Sequence, residues 1–156
     1  MADAYSQMYI HLVIAVRKRE SLLLNPWRQD VQKYLSGIIT SKNHKSIIVN
    51  GIEDHMHLLL GLNPNEKISD LVRELKNNSS NFINNSGFSH HKFAWAEGYG
   101  AFSYSKSEIN NVYEYIKNQE EHHKKTTFKD EYIGLLNEFE IEFKDEYLFD
   151  WISLEK

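Results

Sequence analysis

Two β-rich runs, residues 46–52 and 55–62, are separated only by Glu53 and Asp54. A two-residue connection is too short for a parallel crossover, so the runs are predicted to pair as an antiparallel hairpin. The other apolar patterns fall in a definite order around that hairpin. Residues 8–16 (MYIHLVIAV) are a β-branched run suited to a buried strand, ended by Arg17-Lys18-Arg19-Glu20. Val31, Tyr34, Leu35, Ile38 and Ile39 then recur at helical spacing within 27–42. Ser69 reads as the N-cap of a second helix carrying Leu71, Val72, Leu75, Phe82 and Ile83, which fades into a polar loop at 84–87. A glycine-broken aromatic run over 93–105 supplies a fourth strand. Ser105 and Glu108 have the spacing of a capping box for a third helix reaching about Lys125. Phe128, Tyr132, Leu135, Leu136 and Phe139 mark a final helix.

Strand, helix, strand, strand, helix, strand, then helix is the split β-α-β order. It predicts an α+β fold of ferredoxin-like or RRM-like type, an antiparallel sheet with helices on one face, plus a C-terminal helix. The 156 residues suit one domain over 1–156, with 130–156 as an acidic extension packed on it. The chain has no cysteine, which excludes a disulfide framework, a thiolate metal site and a cysteine nucleophile. The first apolar run is too short to span a bilayer and precedes its basic cluster, so a cytoplasmic location and no membrane partner are expected.

A net charge of −4 argues at first against a nucleic-acid partner. The charge is uneven, however. Residues 130–156 hold nine acidic side chains against two lysines, while residues 1–129 hold 16 basic and 13 acidic ones. The acidity of the extension is read as a device for solubility.

On the third predicted strand, alternation puts His55, His57 and Leu59 on one face and Met56, Leu58 and Leu60 on the other. Two imidazoles at i, i+2 can reach one metal ion or one phosphate, and the same spacing suits two hydrogen-bonded histidines on a half-exposed sheet face. On the third helix Tyr115 and Gln119 lie one turn apart, with His122 and His123 continuing the stripe. A glutamine oxygen can complete a two-histidine site, and a sulfur-free nitrogen and oxygen set suits Mg²⁺ or Mn²⁺ better than structural zinc. Tyr115 would then be an oxygen nucleophile beside the ion, although a tyrosine among nine more often packs. Tyr113 would point away from Gln119.

The stretches GIEDHMHLLL, FAWAEGYGAFSYSKSE and VYEYIKNQEEHHKKTTF resemble the small single-tyrosine transposases of the HUH endonuclease superfamily over most of the chain. Relatives of that group include the REP-associated tyrosine transposases, domesticated enzymes acting on dispersed palindromic repeats. The resemblance implies that His55 and His57 are the metal-binding pair, Gln119 the third ligand, and Tyr115 the nucleophile on the C-terminal helix. It implies a homodimer in which the tyrosine helix of one subunit serves the histidine pair of the other. It also implies single-stranded DNA beside a hairpin as substrate, Mg²⁺ or Mn²⁺ as cofactor, and a 5′-phosphotyrosine intermediate.

Ionising a phenol of pKa about 10 at pH 7 costs roughly 4 kcal/mol, which a divalent ion at the scissile phosphate helps to offset. Arg17, Lys18, Arg19, Arg73, Lys76, Lys117, His122, His123, Lys124 and Lys125 are candidate phosphate contacts. Trp95, Tyr99, Phe102 and Tyr104 are candidate stacking platforms for unpaired bases. The alternative to a transposase is a non-catalytic or domesticated single-strand nucleic-acid-binding protein of the same fold.

Overall fold

The structure, a computed structural model, describes residues 3–154. Four strands, β1 (Tyr9–Ala15), β2 (Lys45–Gly51), β3 (His55–Gly61) and β4 (Gly100–Tyr104), form one antiparallel sheet in the order β2-β3-β1-β4. Helix α1 (Trp27–Ser41) joins β1 to β2, and α2 (Ile68–Ser86) joins β3 to β4. Helices α3 (Ile109–Lys117), α4 (Gln119–His122) and α5 (Phe128–Glu138) follow the sheet. The predicted ferredoxin-like α+β architecture is the one observed.

Alternation along the strands creates two cores. One face of the sheet carries Ile10, Leu12 and Ile14 of β1 and Met56, Leu58 and Leu60 of β3. These pack against Trp27, Val31, Leu35 and Ile39 of α1, residues four apart and hence on one stripe, and against Leu71, Leu75 and Ile83 of α2. The opposite face is covered by the last three helices. Val13, Ala15 and Phe102 meet Phe128, Tyr132, Leu135 and Leu136 of α5, while Leu59 meets Ile109, Val112 and Ile116 at and within α3. Every residue of β3 is therefore buried, on both faces. The histidines on that strand are wholly enclosed, not half-exposed.

Local chemistry explains where the elements depart from the sequence reading. In the hairpin, β2 ends at Gly51, one residue before the predicted end, and Ile52 N–H bonds back to His55 O at 3.1 Å. A Cβ on Gly51 would overlap the His55 carbonyl and sit 2.8 Å from Met56 Cα, so only glycine allows the strands to approach here. Helix α2 starts from Lys67, whose carbonyl accepts Leu71 N–H at 3.1 Å, and Ser69 lies inside the first turn instead of capping it. The helix also absorbs the predicted loop at 84–86. Asn84 is needed there, because its side chain accepts from Phe93 N at 2.7 Å and donates to Phe93 O at 3.2 Å.

The third predicted helix is two helices. Ser105 Oγ bonds Ser107 Oγ at 2.9 Å and caps nothing, and residues Lys106–Glu108 form a 3-10 turn before α3 begins. The break between α3 and α4 falls at Asn118. Asn50 Nδ2 on β2 donates to Ile116 O at 2.9 Å and Lys117 O at 3.2 Å, taking carbonyls that a continuous helix would use itself. Helix α5 is capped by Thr127, whose hydroxyl accepts Asp130 N–H at 3.1 Å. Among the described residues, no helix is long and apolar enough to cross a membrane.

Candidate metal centre and tyrosine site

His55 and His57 project from β3 toward the face covered by α3, α4 and α5, and both are wholly buried. Gln119 opens α4 and is buried beside them, with its Oε1 3.1 Å from His55 Nε2. Tyr115, one turn earlier on α3, has its ring centroid 5.7 Å from that of His57. Tyr113 is exposed, on another side of the helix. One chain thus brings together His55, His57, Tyr115 and Gln119. Four residues, Ser105 to Glu108, separate β4 from α3, so the helix folds back over its own sheet.

Two further groups, Glu131 and His123, complete the cluster. Glu131, on α5, is buried, with Oε1 3.1 Å from both His55 Nε2 and His57 Nε2 and 3.2 Å from His123 Nε2. Its second oxygen accepts from Gln119 Nε2 at 2.9 Å and from the Tyr115 hydroxyl. His123 Nε2 stands 2.9 Å from Gln119 Oε1. Behind the cluster, Asp54 holds His55 Nδ1 at 2.7 Å, and His11 of β1 holds His57 Nδ1 through Nε2 at 2.7 Å.

These enclosed charges perturb one another. Burial works against a charged His55, but the hydrogen bonds of Asp54 and Glu131 prevail and push its pKa up to about 9. Burial pulls His57 below the ordinary histidine range and His11 well below it. Burial also opposes ionisation of Glu131, yet His57, His123 and His55 together hold its carboxyl far below the usual range. The Tyr115 phenol is pushed far up, first by burial and then by the Glu131 carboxylate. Both effects favour the protonated phenol, whose hydrogen Glu131 accepts.

Sequence reasoning did not place Glu131 in the site, because it stands in a segment read as acidic padding. A signal was present: Glu131 lies between Phe128 and Leu135 at i+3 and i−4, on the apolar stripe of α5. His11 carries a similar signal as the one polar side chain in MYIHLVIAV other than Tyr9. His123 was assigned to DNA and is instead part of the buried cluster.

The other candidate DNA contacts separate into free and engaged groups. Arg17 and Lys18 are exposed beyond β1, and Lys117 is exposed at the end of α3. Arg19 donates to the Ser153 carbonyl. Arg73 pairs with Asp70 at 3.0 Å and Lys124 with Glu121 at 2.7 Å, both at the surface. Lys76 clamps α2 to the segment before β4, donating to Ala96 O at 2.8 Å and Gly98 O at 2.6 Å. His122 Nε2 lies 3.2 Å from Glu131 Oε2 without making a hydrogen bond, at the rim of a cleft of about 490 Å³ onto which Tyr115 opens. Of the candidate stacking aromatics, Trp95 and Phe102 are buried and Tyr104 packs on Phe139, which leaves Tyr99 exposed.

The family model for IS200-like transposases matches residues 4–119. Two solved structures share the fold. A candidate transposase from Deinococcus radiodurans R1 is 22% identical, with a TM-score of 0.60 over 76% of this chain and 95% of that one. A REP-associated tyrosine transposase bound to a REP hairpin is 15% identical, with a TM-score of 0.58 over 79% of this chain and 73% of that one. Among curated proteins no sequence matches the chain.

Proposed function

The chain belongs to the IS200-like transposase family, and from that premise we propose that it cleaves and rejoins single-stranded DNA beside a hairpin, with Tyr115 as nucleophile. The observation that carries this reading is the meeting, within one chain, of Tyr115 with the buried donors of His55, His57 and Gln119. Hairpin DNA as the substrate is supported by the structural neighbour that binds a REP hairpin.

The donor chemistry fits a divalent ion. His55 and His57 would hold it through Nε2 and Gln119 through Oε1, and Asp54 fixes the His55 ring so that Nε2 faces the centre. When bound, Mg²⁺ or Mn²⁺ supplies Lewis-acid polarisation of the scissile phosphate. The residues do the rest. Tyr115 Oη attacks phosphorus and gives up its hydrogen, the bond from phosphorus to the 3′ oxygen breaks, and the 3′ oxygen leaves as a hydroxyl, so that the one proton lost by the phenol is balanced by the one gained by the leaving group. The product is a 5′-phosphotyrosine, whose ester keeps the energy of the broken phosphodiester for rejoining. Glu131, which accepts the Tyr115 hydroxyl hydrogen, orients that oxygen.

The test is incubation with a hairpin-bearing single strand and Mn²⁺ or Mg²⁺, followed by denaturing electrophoresis. The wild-type protein gives a covalent protein-DNA adduct and Tyr115→Phe gives none. An adduct that persists in Tyr115→Phe overturns the assignment.

A further inference from the structure

We infer that His123 and Glu131 are metal ligands, so that the centre holds three imidazoles, one carboxylate and one amide oxygen and prefers a first-row transition ion to Mg²⁺. The inference rests on the proposed metal-dependent reading and adds to it two residues from the segment beyond 119, outside the stretch the family model matches.

Distances carry the first part. Ligand atoms of His55, His57, His123 and Glu131 all lie within 4.8 Å of one another. The pairs His55–Glu131, His57–Glu131, His123–Glu131, His55–Gln119 and His123–Gln119 are 3.1, 3.1, 3.2, 3.1 and 2.9 Å apart. Bonds of roughly 2.1 Å meeting at right angles on one ion put neighbouring donors about 3 Å apart. These are edge lengths of a coordination shell.

The second part comes from the far side of each ring. His123 Nδ1 stands 2.9 Å from the Thr126 carbonyl, which can only accept, so that nitrogen carries the hydrogen. In a neutral ring Nε2 then presents a lone pair to two oxygens, those of Glu131 and Gln119. His55 has the same arrangement, with Nδ1 donating to the Asp54 carboxylate. Nε2 of His55 and His123, Oε1 of Gln119 and Oε1 of Glu131 converge on one buried point, where a metal ion in place of imidazole protons is held by all of them at once. A carbonyl or carboxylate behind each imidazole is the usual outer support of a metal-bound histidine.

The third part concerns which ion. Affinity for imidazole nitrogen rises from Mn²⁺ through Co²⁺ and Ni²⁺ to Cu²⁺ and falls again at Zn²⁺, whereas Mg²⁺ keeps water and oxygen ligands and is seldom enclosed by histidines.

The experiment is metal binding by the chelator-treated full-length protein, followed by titration calorimetry with Mn²⁺ and by the Mn²⁺ electron paramagnetic resonance spectrum, with circular dichroism confirming the fold. Wild type is expected to bind one Mn²⁺ per chain, undisplaced by a hundredfold excess of Mg²⁺. Glu131→Gln and His123→Ala are each expected to weaken Mn²⁺ at least tenfold. Should Glu131→Gln fail to fold, His123→Ala decides alone. If folded Glu131→Gln and His123→Ala bind Mn²⁺ as wild type does while His57→Ala loses it, the inference is overturned and the three-ligand centre stands. If Mg²⁺ displaces Mn²⁺ at equal concentration, the preference is overturned. If wild type binds no metal, the metal-dependent reading itself fails.

Discussion

Among single residues, Asp54 has an effect larger than its surface suggests. It does not face the reacting centre; it holds His55 Nδ1 at 2.7 Å and thereby fixes both the ring's tautomer and its angle. Asp54→Asn keeps the side chain's shape and removes the charge. It is expected to weaken metal binding by about tenfold with little change in melting temperature, measured by calorimetric titration beside a thermal scan. An unchanged affinity would reduce Asp54 to a hairpin residue. The same scale shows what a sequence can disclose. The histidine pair was legible because a strand's period of two is rigid. Glu131 was not, because its meaning depends on which side of α5 meets the sheet, and that is set by Phe128, Tyr132 and Leu135 packing on Val13 and Phe102 far away in the chain.

Elements are tied together by a second polar network, remote from the site. His44, just before β2, is buried and takes Asn63 N–H on Nδ1 at 2.8 Å, so Nε2 carries the hydrogen and donates to Glu66 at 2.6 Å. Glu66 also meets Lys42 at 2.7 Å, which links the end of α1 to the segment after β3. Burial raises the Glu66 carboxyl, but Lys42 and His44 outweigh it and the net direction is down. A carboxyl depressed by folding binds fewer protons folded than unfolded, so its stabilisation is present at neutral pH and fades as the pH falls below the ordinary value of 4.5. Glu66→Gln is therefore predicted to lower the melting temperature by about 2–4 °C at pH 7, roughly 1 kcal/mol, with the deficit shrinking toward pH 3. Thermal scans of both proteins across pH 3–7 check it; a deficit independent of pH would exclude the ionic origin. Strand and helix order were legible at this scale, since each rests on local periodicity. The break at Asn118 was not, because the cause is a side chain on β2 that reaches the carbonyls of 116 and 117.

At the level of the whole molecule, the candidate nucleophile and the histidine pair of one chain face one another. A site shared between subunits predicts that two inactive variants, one lacking a ligand and one lacking the nucleophile, restore activity when mixed. The arrangement seen here predicts the opposite. His57→Ala mixed with Tyr115→Phe is expected to give no adduct above that of either alone, and recovery toward a quarter or half of wild type would establish exchange of the tyrosine helix between copies. The charge distribution also takes on a clearer form. Residues 130–156, with nine acidic residues against two lysines, carry the chain's net negative charge, yet Glu131 is turned inward to the histidines, so the extension supplies the centre with a carboxylate as well as the surface with solvation.

One consequence follows from β3 being closed on both faces. Its amides lie under α1 and α2 on one side and α3 and α5 on the other, so no small opening exposes them; they are freed only when the entire molecule comes apart. The histidines ride on that strand. Their spacing therefore cannot loosen by degrees as the protein warms or as its outer helices fray. The tyrosine stands on a helix nine residues long, which packs on Leu59 through Ile109, Val112 and Ile116 and is held at its C-terminal end by Asn50. The two halves of the candidate site therefore differ in construction: the imidazoles stand on an inner strand of the sheet, the tyrosine on a short outer helix.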